Sequence, residues 1–75
     1  MHKETRAKII KQIGEQTDYQ IVLAEINLLK MEKQLKEIDP NQKEEVAKKK
    51  MEIDGMKQGM EQAMELRVII DEYGA

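Results

Sequence analysis

Asp39-Pro40-Asn41 is the stretch that decides the fold, because it separates two arms of nearly equal length in this 75-residue chain. Proline disfavours helical geometry in the residue before it, so a helix in the first arm should end near Ile38. Asp39 is a favourable N-cap, Pro40 suits the first position of a helix, and Gln42 occupies the capping-box position. The stretch therefore predicts that one helix ends here and a second one begins.

Apolar side chains recur in both arms at alternating steps of three and four residues, the spacing of a coiled-coil seam. Gly74 is a favourable C-terminal stop, so we expect helices at about 3–38 and 40–73, each about 50 Å long. The seam of the first arm comprises Ala7, Ile10, Gly14, Thr17, Ile21, Ala24, Leu28, Met31, Leu35 and Ile38. The seam of the second arm comprises Val46, Lys49, Ile53, Met56, Met60, Ala63, Arg67 and Ile70.

The two seams meet in register when the chain folds back at Pro40. Leu28 then faces Ile53, and Ile10 faces Ile70 near the chain ends. Charges at the two ends agree with this register, because a basic pair in the first arm meets an acidic pair in the second. These are Lys8 and Lys11 against Asp71 and Glu72. Agreement between the apolar register and the charge pattern is typical of a sequence that encodes a single fold. It predicts an all-α antiparallel helical hairpin that forms one domain over residues 1–75.

Two layers of the predicted seam pair unlike residues. Met31 meets Lys49, whose aliphatic stem can cover it while the amino group stays in water. Gly14 meets Arg67, and the glycine can make room for the guanidinium. The alternative interpretation is that both layers are weak.

A second interpretation divides the first arm. Gly14 can end a short helix, and Thr17 with Gln20 fits another capping box, which would give three helices. The seam passes through both positions without a change of phase. We therefore favour one continuous helix, with a local kink near Gly14-Thr17 as a compromise.

Composition predicts that the hairpin self-associates. Only 3% of the residues are aromatic, there is no cysteine, and the net charge is -2. Domains of this size are marginally stable and usually depend on disulfides, metals or association. Since disulfides are excluded, we expect a homo-oligomer, with a dimeric four-helix bundle favoured.

The residues that support catalysis are scarce. The chain has no serine and no cysteine, and its single histidine is His2, so a Ser–His or Cys–His nucleophile pair is excluded. Acidic pairs such as Glu61 and Glu65 are typical of a solvated helix face. We expect no enzyme activity, no catalytic residues, no cofactor and no metal.

The most informative surface lies on the first arm, on the side away from the seam. Tyr19, Val22, Ile26 and Leu29 follow helical spacing there, and we call them the outer stripe. Leu23 lies beside it. A lone hairpin cannot bury both sides of its first helix, so this patch should be covered by another chain. The favoured occupant is another copy, and the alternative is a different protein.

The second arm has a separate feature, a row of small residues at four-residue spacing: Gly55, Gly59 and Ala63. Two glycines in one soluble helix each cost about 0.8–1 kcal/mol relative to alanine, and a row of small residues allows another helix to approach closely. Met60 and Met64 flank the row, and methionine is common on adaptable binding surfaces. The alternatives are a flexible helix after Asp54 and methionines that simply fill the core.

One basic strip offers a rival partner. It comprises Lys30, Lys33, Lys48, Lys49 and Lys50 at the bend end of the hairpin. In shape, the architecture resembles that of the plasmid-copy-control RNA-binding hairpin dimers, and this resemblance implies nucleic acid as an alternative partner. Acidic neighbours such as Glu44, Glu45 and Glu52 favour a salt-bridged, solvated face instead.

The sequence therefore predicts a non-catalytic protein–protein interaction module: a small adaptor, assembly factor or inhibitor that acts through helix faces. The alternative is a nucleic-acid-binding hairpin dimer that uses the Lys48–Lys50 end. No apolar run approaches the roughly 20 residues of a membrane span, and no secretory signal opens the chain. We expect a cytoplasmic location and no contact with membranes.

Overall fold

The computed structural model describes residues 2–74, which form two α-helices packed against each other. Helix α1 is Lys3–Glu37 and helix α2 is Lys43–Gly74. A bend of a few residues joins them, and the molecule measures 60 × 15 × 15 Å. These dimensions fit two helices lying side by side along most of their length, as the predicted hairpin requires.

The bend begins where Ile38 leaves helical geometry, with φ -74° and ψ 134°. Asp39 accepts two hydrogen bonds there: its Oδ1 from the Asn41 N–H at 3.0 Å, and its carbonyl oxygen from the Gln42 N–H at 2.9 Å. The Gln42 carbonyl in turn accepts the Val46 N–H at 3.1 Å. Asp39 therefore caps the turn itself, as aspartate commonly does.

This geometry corrects the predicted start of the second helix. The prediction placed Pro40 in the first helical turn, with Asp39 as N-cap and Gln42 in a capping box. In the structure α2 starts at Lys43, and Pro40 belongs to the turn that precedes it. The aspartate side chain satisfies the nearest backbone N–H, that of Asn41, and so stabilises a turn before the helix begins. The first helix ends at Glu37, one residue before the predicted Ile38.

The predicted seam accounts for almost all of the burial. In α2, the residues that are buried or half-buried are those of the predicted seam, from Val46 to Ile70. In the first arm the seam also matches, from Ile10 in α1 to Ile38 at the bend, with two differences. Ala7 is exposed near the open end, and the polar residues Asn27 and Gln34 are half-buried beside the seam.

The interior between the helices is thin. Within residues 2–74, Leu28 and Ile53 are the only large apolar side chains that are buried, at 7% and 6% exposure. The register predicts that they face each other at the middle of the seam. Complete burial of one such side chain contributes about 1.5–3 kcal/mol, so the hairpin by itself has little apolar burial to stabilise it.

Helix α1 is continuous through Gly14 and Thr17, so the three-helix interpretation is wrong. Both residues are buried against α2. The Thr17 hydroxyl donates a hydrogen bond to the Ile13 carbonyl oxygen at 2.8 Å, one turn earlier in the same helix. This bond satisfies the buried hydroxyl inside the helix, which removes the reason for a second cap at this position.

Candidate interaction surface

The outer stripe of α1 is exposed along its whole length. Tyr19, Val22, Ile26 and Leu29 retain 52–67% of their accessible surface, and the neighbouring Leu23 retains 38%. The arrangement agrees with the seam, since these residues lie on sides of the helix that do not face α2. Single exposed apolar residues are ordinary, but a contiguous group on one helix marks a contact surface.

The middle of α1 is apolar on nearly every side. Glu25 is the only charged residue in the segment 19–29, although 37% of the whole chain is charged. A helix that is apolar all round is typically buried. Helix α2 covers only one side of this segment, so the hairpin alone leaves its remaining apolar sides in water.

One flank of the seam can be assigned to the same side in both helices. Near the chain ends, Ile13 of α1 lines an apolar cleft together with Ile69 and Tyr73 of α2. Near the bend, Lys49 Nζ donates to Gln34 Oε1 and to Glu52 Oε2, each at 3.1 Å. Gln34 lies three heptads after Ile13 and therefore on the same side of α1, and Glu52 lies three heptads before Tyr73 and therefore on the same side of α2. The contacts at both ends thus place this side of α1 next to this side of α2.

This flank carries an uncharged stretch on both helices, which we call the uncharged side face. It contains apolar residues, amides and the two central glycines of α2, and all except Asn27 are exposed. Its extent is about 27 Å along each helix. Its members are Ile9, Ile13, Gln16, Gln20, Leu23 and Asn27 of α1, with Gly55, Gly59, Gln62, Leu66, Ile69 and Tyr73 of α2.

The opposite flank is charged and is fastened by Arg67. The guanidinium donates from Nε to Asp18 Oδ1 and from Nη1 to Asp71 Oδ1, both at 2.8 Å. The hydrogen bond to Asp18 does most to raise the pKa of Arg67, partial desolvation opposes it, and both acidic charges support it. The register places Gly14 opposite Arg67, and Asp18 lies one helical turn after Gly14. The ion pair between Arg67 and Asp18 could therefore have been predicted from the sequence, although it was not.

Gly14 provides the space that Arg67 requires, as one of the two interpretations predicted. A Cβ built on Gly14 would lie 2.8 Å from Arg67 Nη1 and 3.0 Å from Cζ. The register predicts that Lys8 and Lys11 lie near Asp71 and Glu72, and Lys11 and Asp71 do line the same cleft near the chain ends. Within residues 2–74 the ion pair of Asp71 is with Arg67. Asp71 therefore neutralises a seam arginine.

The glycine row lies within α2, as predicted, but faces open space. A Cβ built on Gly55 or Gly59 would have no neighbouring atom within 4 Å. Close approach of another helix to the row thus stays a prediction about a second chain. Met60 is half-buried at the seam, while Met64 is 40% exposed. Met64 precedes Asp71 by one heptad and so lies on the charged flank, away from the glycines.

The basic strip is divided in the structure. Lys49 is half-buried at the seam, with its amino group bound to Gln34 and Glu52. The cover of Met31 by the aliphatic stem of Lys49 stays a prediction, while the amino group contacts Gln34 and Glu52. The other members are exposed: Lys30, Lys33, Lys48 and Lys50.

Other classes of site gain no support from this geometry. No group of three or more histidine, aspartate or glutamate residues within residues 2–74 is arranged to hold a metal ion. Neither helix contains a segment in this range that is long and apolar enough to cross a membrane. No protein family, curated protein or solved structure matches the chain.

Proposed function

We propose that the protein is a non-catalytic interaction module that self-associates and binds other polypeptides through its helix faces. The observation that carries this proposal is the exposed outer stripe, whose four side chains retain 52–67% of their surface. An adaptor, an assembly factor and an inhibitor all act in this way, by presenting a helix face to another protein. Helix-in-groove contacts of this kind use apolar residues at three- and four-residue spacing.

Self-association is supported by the thin interior. With Leu28 and Ile53 as its only buried large apolar side chains, the described hairpin leaves most large apolar residues partly in water. A second hairpin would cover a further face of each helix and convert a single seam into the core of a four-helix bundle. Association therefore supplies the apolar burial that a chain of this size lacks.

Sedimentation equilibrium at micromolar concentration tests the proposal directly. The expected mass is at least twice the 8.8 kDa of one chain. A well-folded monomer of 8.8 kDa across the concentration range would contradict self-association and leave both apolar surfaces to other proteins.

The outer stripe has its own test in Val22→Glu and Ile26→Glu. Each variant places a charge where a covering chain would leave it unpaired, so binding of that chain should be lost before the hairpin unfolds. Gln12→Glu is the matched control, because it adds the same charge to α1 outside the stripe. If the oligomer mass from sedimentation equilibrium falls in the two stripe variants but not in Gln12→Glu, a second copy of the chain covers the stripe. If the oligomer mass is unchanged in all three variants, the stripe is left to a different protein.

Nucleic acid is the second candidate, and the exposed lysines at the bend favour it. Lys30, Lys33, Lys48 and Lys50 are all exposed, but Lys49 is engaged with Glu52. Binding through phosphate contacts weakens steeply with salt, whereas apolar docking does not. Fluorescence anisotropy with a folded RNA and a DNA duplex at several salt concentrations separates the two candidates.

A further inference from the structure

Building on the self-association proposed above, we infer that a second copy of this chain packs on the uncharged side face, with both bends at the same end. The two hairpins are then related by a two-fold axis that runs along the helices. Each α1 lies over the partner's α2. This arrangement leaves the outer stripe outside the dimer, available to a protein other than this chain.

The composition of the face selects a copy of itself as the occupant. Exposed apolar side chains and amides cover it, and none of its members from Ile9 to Asn27 or from Gly55 to Tyr73 is charged. Charge reaches it at the open end, where the Arg6 guanidinium lies 4.6 Å from the centre of the Tyr73 ring. Such a surface is self-complementary, because amides both donate and accept hydrogen bonds. A two-fold contact places the same patch on both subunits, so one neutral patch satisfies both sides.

The dimensions of the face also suit a dimer. It runs for about 27 Å along two adjacent helices and is about 20 Å wide, since each helix with its side chains measures about 10 Å across. Two such faces in contact bury roughly 1,100 Å², which is just above the roughly 1,000 Å² expected of a specific interface. The charged segments nearer the bend extend this contact.

Charge decides the relative direction of the two hairpins. With both bends at one end, Lys30 lies over the partner's Glu52, and this attraction occurs twice. Lys30 is exposed and forms no ion pair in the described part of the chain. With the bends at opposite ends and the two faces aligned, Lys30 would instead lie over the partner's Arg6, a repulsion that also occurs twice.

In the favoured arrangement, one contact near the bend is repulsive, because it brings two carboxylates together. Glu37 there approaches the partner's Glu45, but both residues are exposed and adjoin the bend. Lys48 follows Glu45 by less than one helical turn and offsets the repulsion. The Lys30 contacts directly adjoin the uncharged side face, where screening by solvent is weaker, and lie further from the exposed bend.

The apolar layers also agree with the direction set by charge. Ile9 and Ile13 meet the partner's Ile69 and Tyr73. In the middle of the face, Leu23 stands at the height of the gap between the partner's Gly55 and Gly59. The open space above both glycines is therefore filled by a side chain that is 38% exposed in the single chain.

A spin label at the bend tests the direction. Asn41→Cys introduces the only cysteine in the chain, and Asn41 has a backbone conformation that any residue adopts. In the inferred dimer the labels lie within about 25 Å, since adjacent helix axes are about 10 Å apart. Opposite bends would separate them by about 65 Å. Double electron–electron resonance on the labelled full chain distinguishes these distances.

Gly59→Leu tests the face itself, because a side chain at this position occupies the space assigned to Leu23. We expect the dimer dissociation constant to rise at least tenfold in Gly59→Leu and less than twofold in the control Gln58→Leu. A dimer with distant labels, or one that tolerates Gly59→Leu yet dissociates in Ile26→Glu, would overturn this inference while self-association still holds. A monomer at all concentrations would overturn both proposals.

Discussion

The guanidinium of Arg67 lies directly against Gly14 on the facing helix. A Cβ at position 14 would come within 2.8 Å of Arg67 Nη1 and 3.3 Å of Nη2. The same guanidinium is held by Asp18 on α1 and by Asp71 on α2. A cationic side chain at a seam position is thus accommodated by the absence of a side chain opposite and by two carboxylates beside it.

Gly14→Ala should reveal this contact through its dependence on Arg67. Alanine is favoured over glycine in a helix by up to about 1 kcal/mol, but its methyl group displaces the guanidinium from its carboxylates. We expect Gly14→Ala to stabilise the Arg67→Ala background by nearly that amount and the wild-type background by clearly less. Urea unfolding of the four proteins forms the required cycle. Equal stabilisation in both backgrounds would show that the guanidinium does not rest on Gly14.

Leu28→Ala should destabilise the fold by roughly 2–5 kcal/mol, as truncation of buried leucine does elsewhere. Leu28 is 7% exposed, and the register places it opposite the other buried large apolar residue, Ile53. Leu29→Ala is the matched control, because Leu29 is 67% exposed in the single hairpin. Urea unfolding at a concentration that keeps the protein monomeric gives both values. Similar losses for the two variants would mean that the seam has been assigned to the wrong residues.

Asp39→Ala should lower the free energy of unfolding by about 0.5–1.5 kcal/mol, the usual net contribution of one hydrogen bond. The lost bond is the 3.0 Å contact between Asp39 Oδ1 and the Asn41 N–H. Asp39→Asn keeps an oxygen at the same place and forms the same kind of turn, so it should retain most of the stability. Thermal unfolding followed by circular dichroism measures the difference, and equal losses in the two variants would contradict this account of the bend.

Gly55→Ala and Gly59→Ala should have opposite effects in the monomer and in the oligomer. Within one chain nothing lies within 4 Å of either added Cβ, so helix propensity favours alanine by up to about 1 kcal/mol. Against a closely packed second helix, the added methyl group should cost about 1–3 kcal/mol. Melting temperatures measured over a range of concentrations should therefore rise at low concentration and fall at high concentration. A rise at every concentration would mean that no helix packs on the row.

The seam could be predicted residue by residue because it depends on local spacing. Alternating steps of three and four fix which side of each helix is covered, and the match from Val46 to Ile70 follows from that geometry. Even the unlike pair of Gly14 and Arg67 was located correctly, since the register placed the two residues opposite each other before any contact was known.

The start of α2 was predicted wrongly because two local effects compete at Asp39. The carboxylate can cap a helix or close a turn, and the sequence favours both. In the structure, the hydrogen bond to Asn41 closes the turn, and the helix begins at Lys43. The uncharged side face was missed for a different reason. It becomes visible only when Ile13 and Tyr73, on different helices, are known to lie on the same side of the seam.

Arg67 also determines how the two helices can be aligned along their length. A seam made only of aliphatic side chains tolerates sliding by a whole heptad, since one apolar layer replaces another. Here such a slide would move the guanidinium from Gly14 onto the bulky Ile21, or onto Ala7 at the open end, away from Asp18. A polar residue at one seam position specifies the register of a coiled coil. The contacts of Arg67 with Gly14, Asp18 and Asp71 therefore favour one alignment of the two helices over those shifted by a heptad.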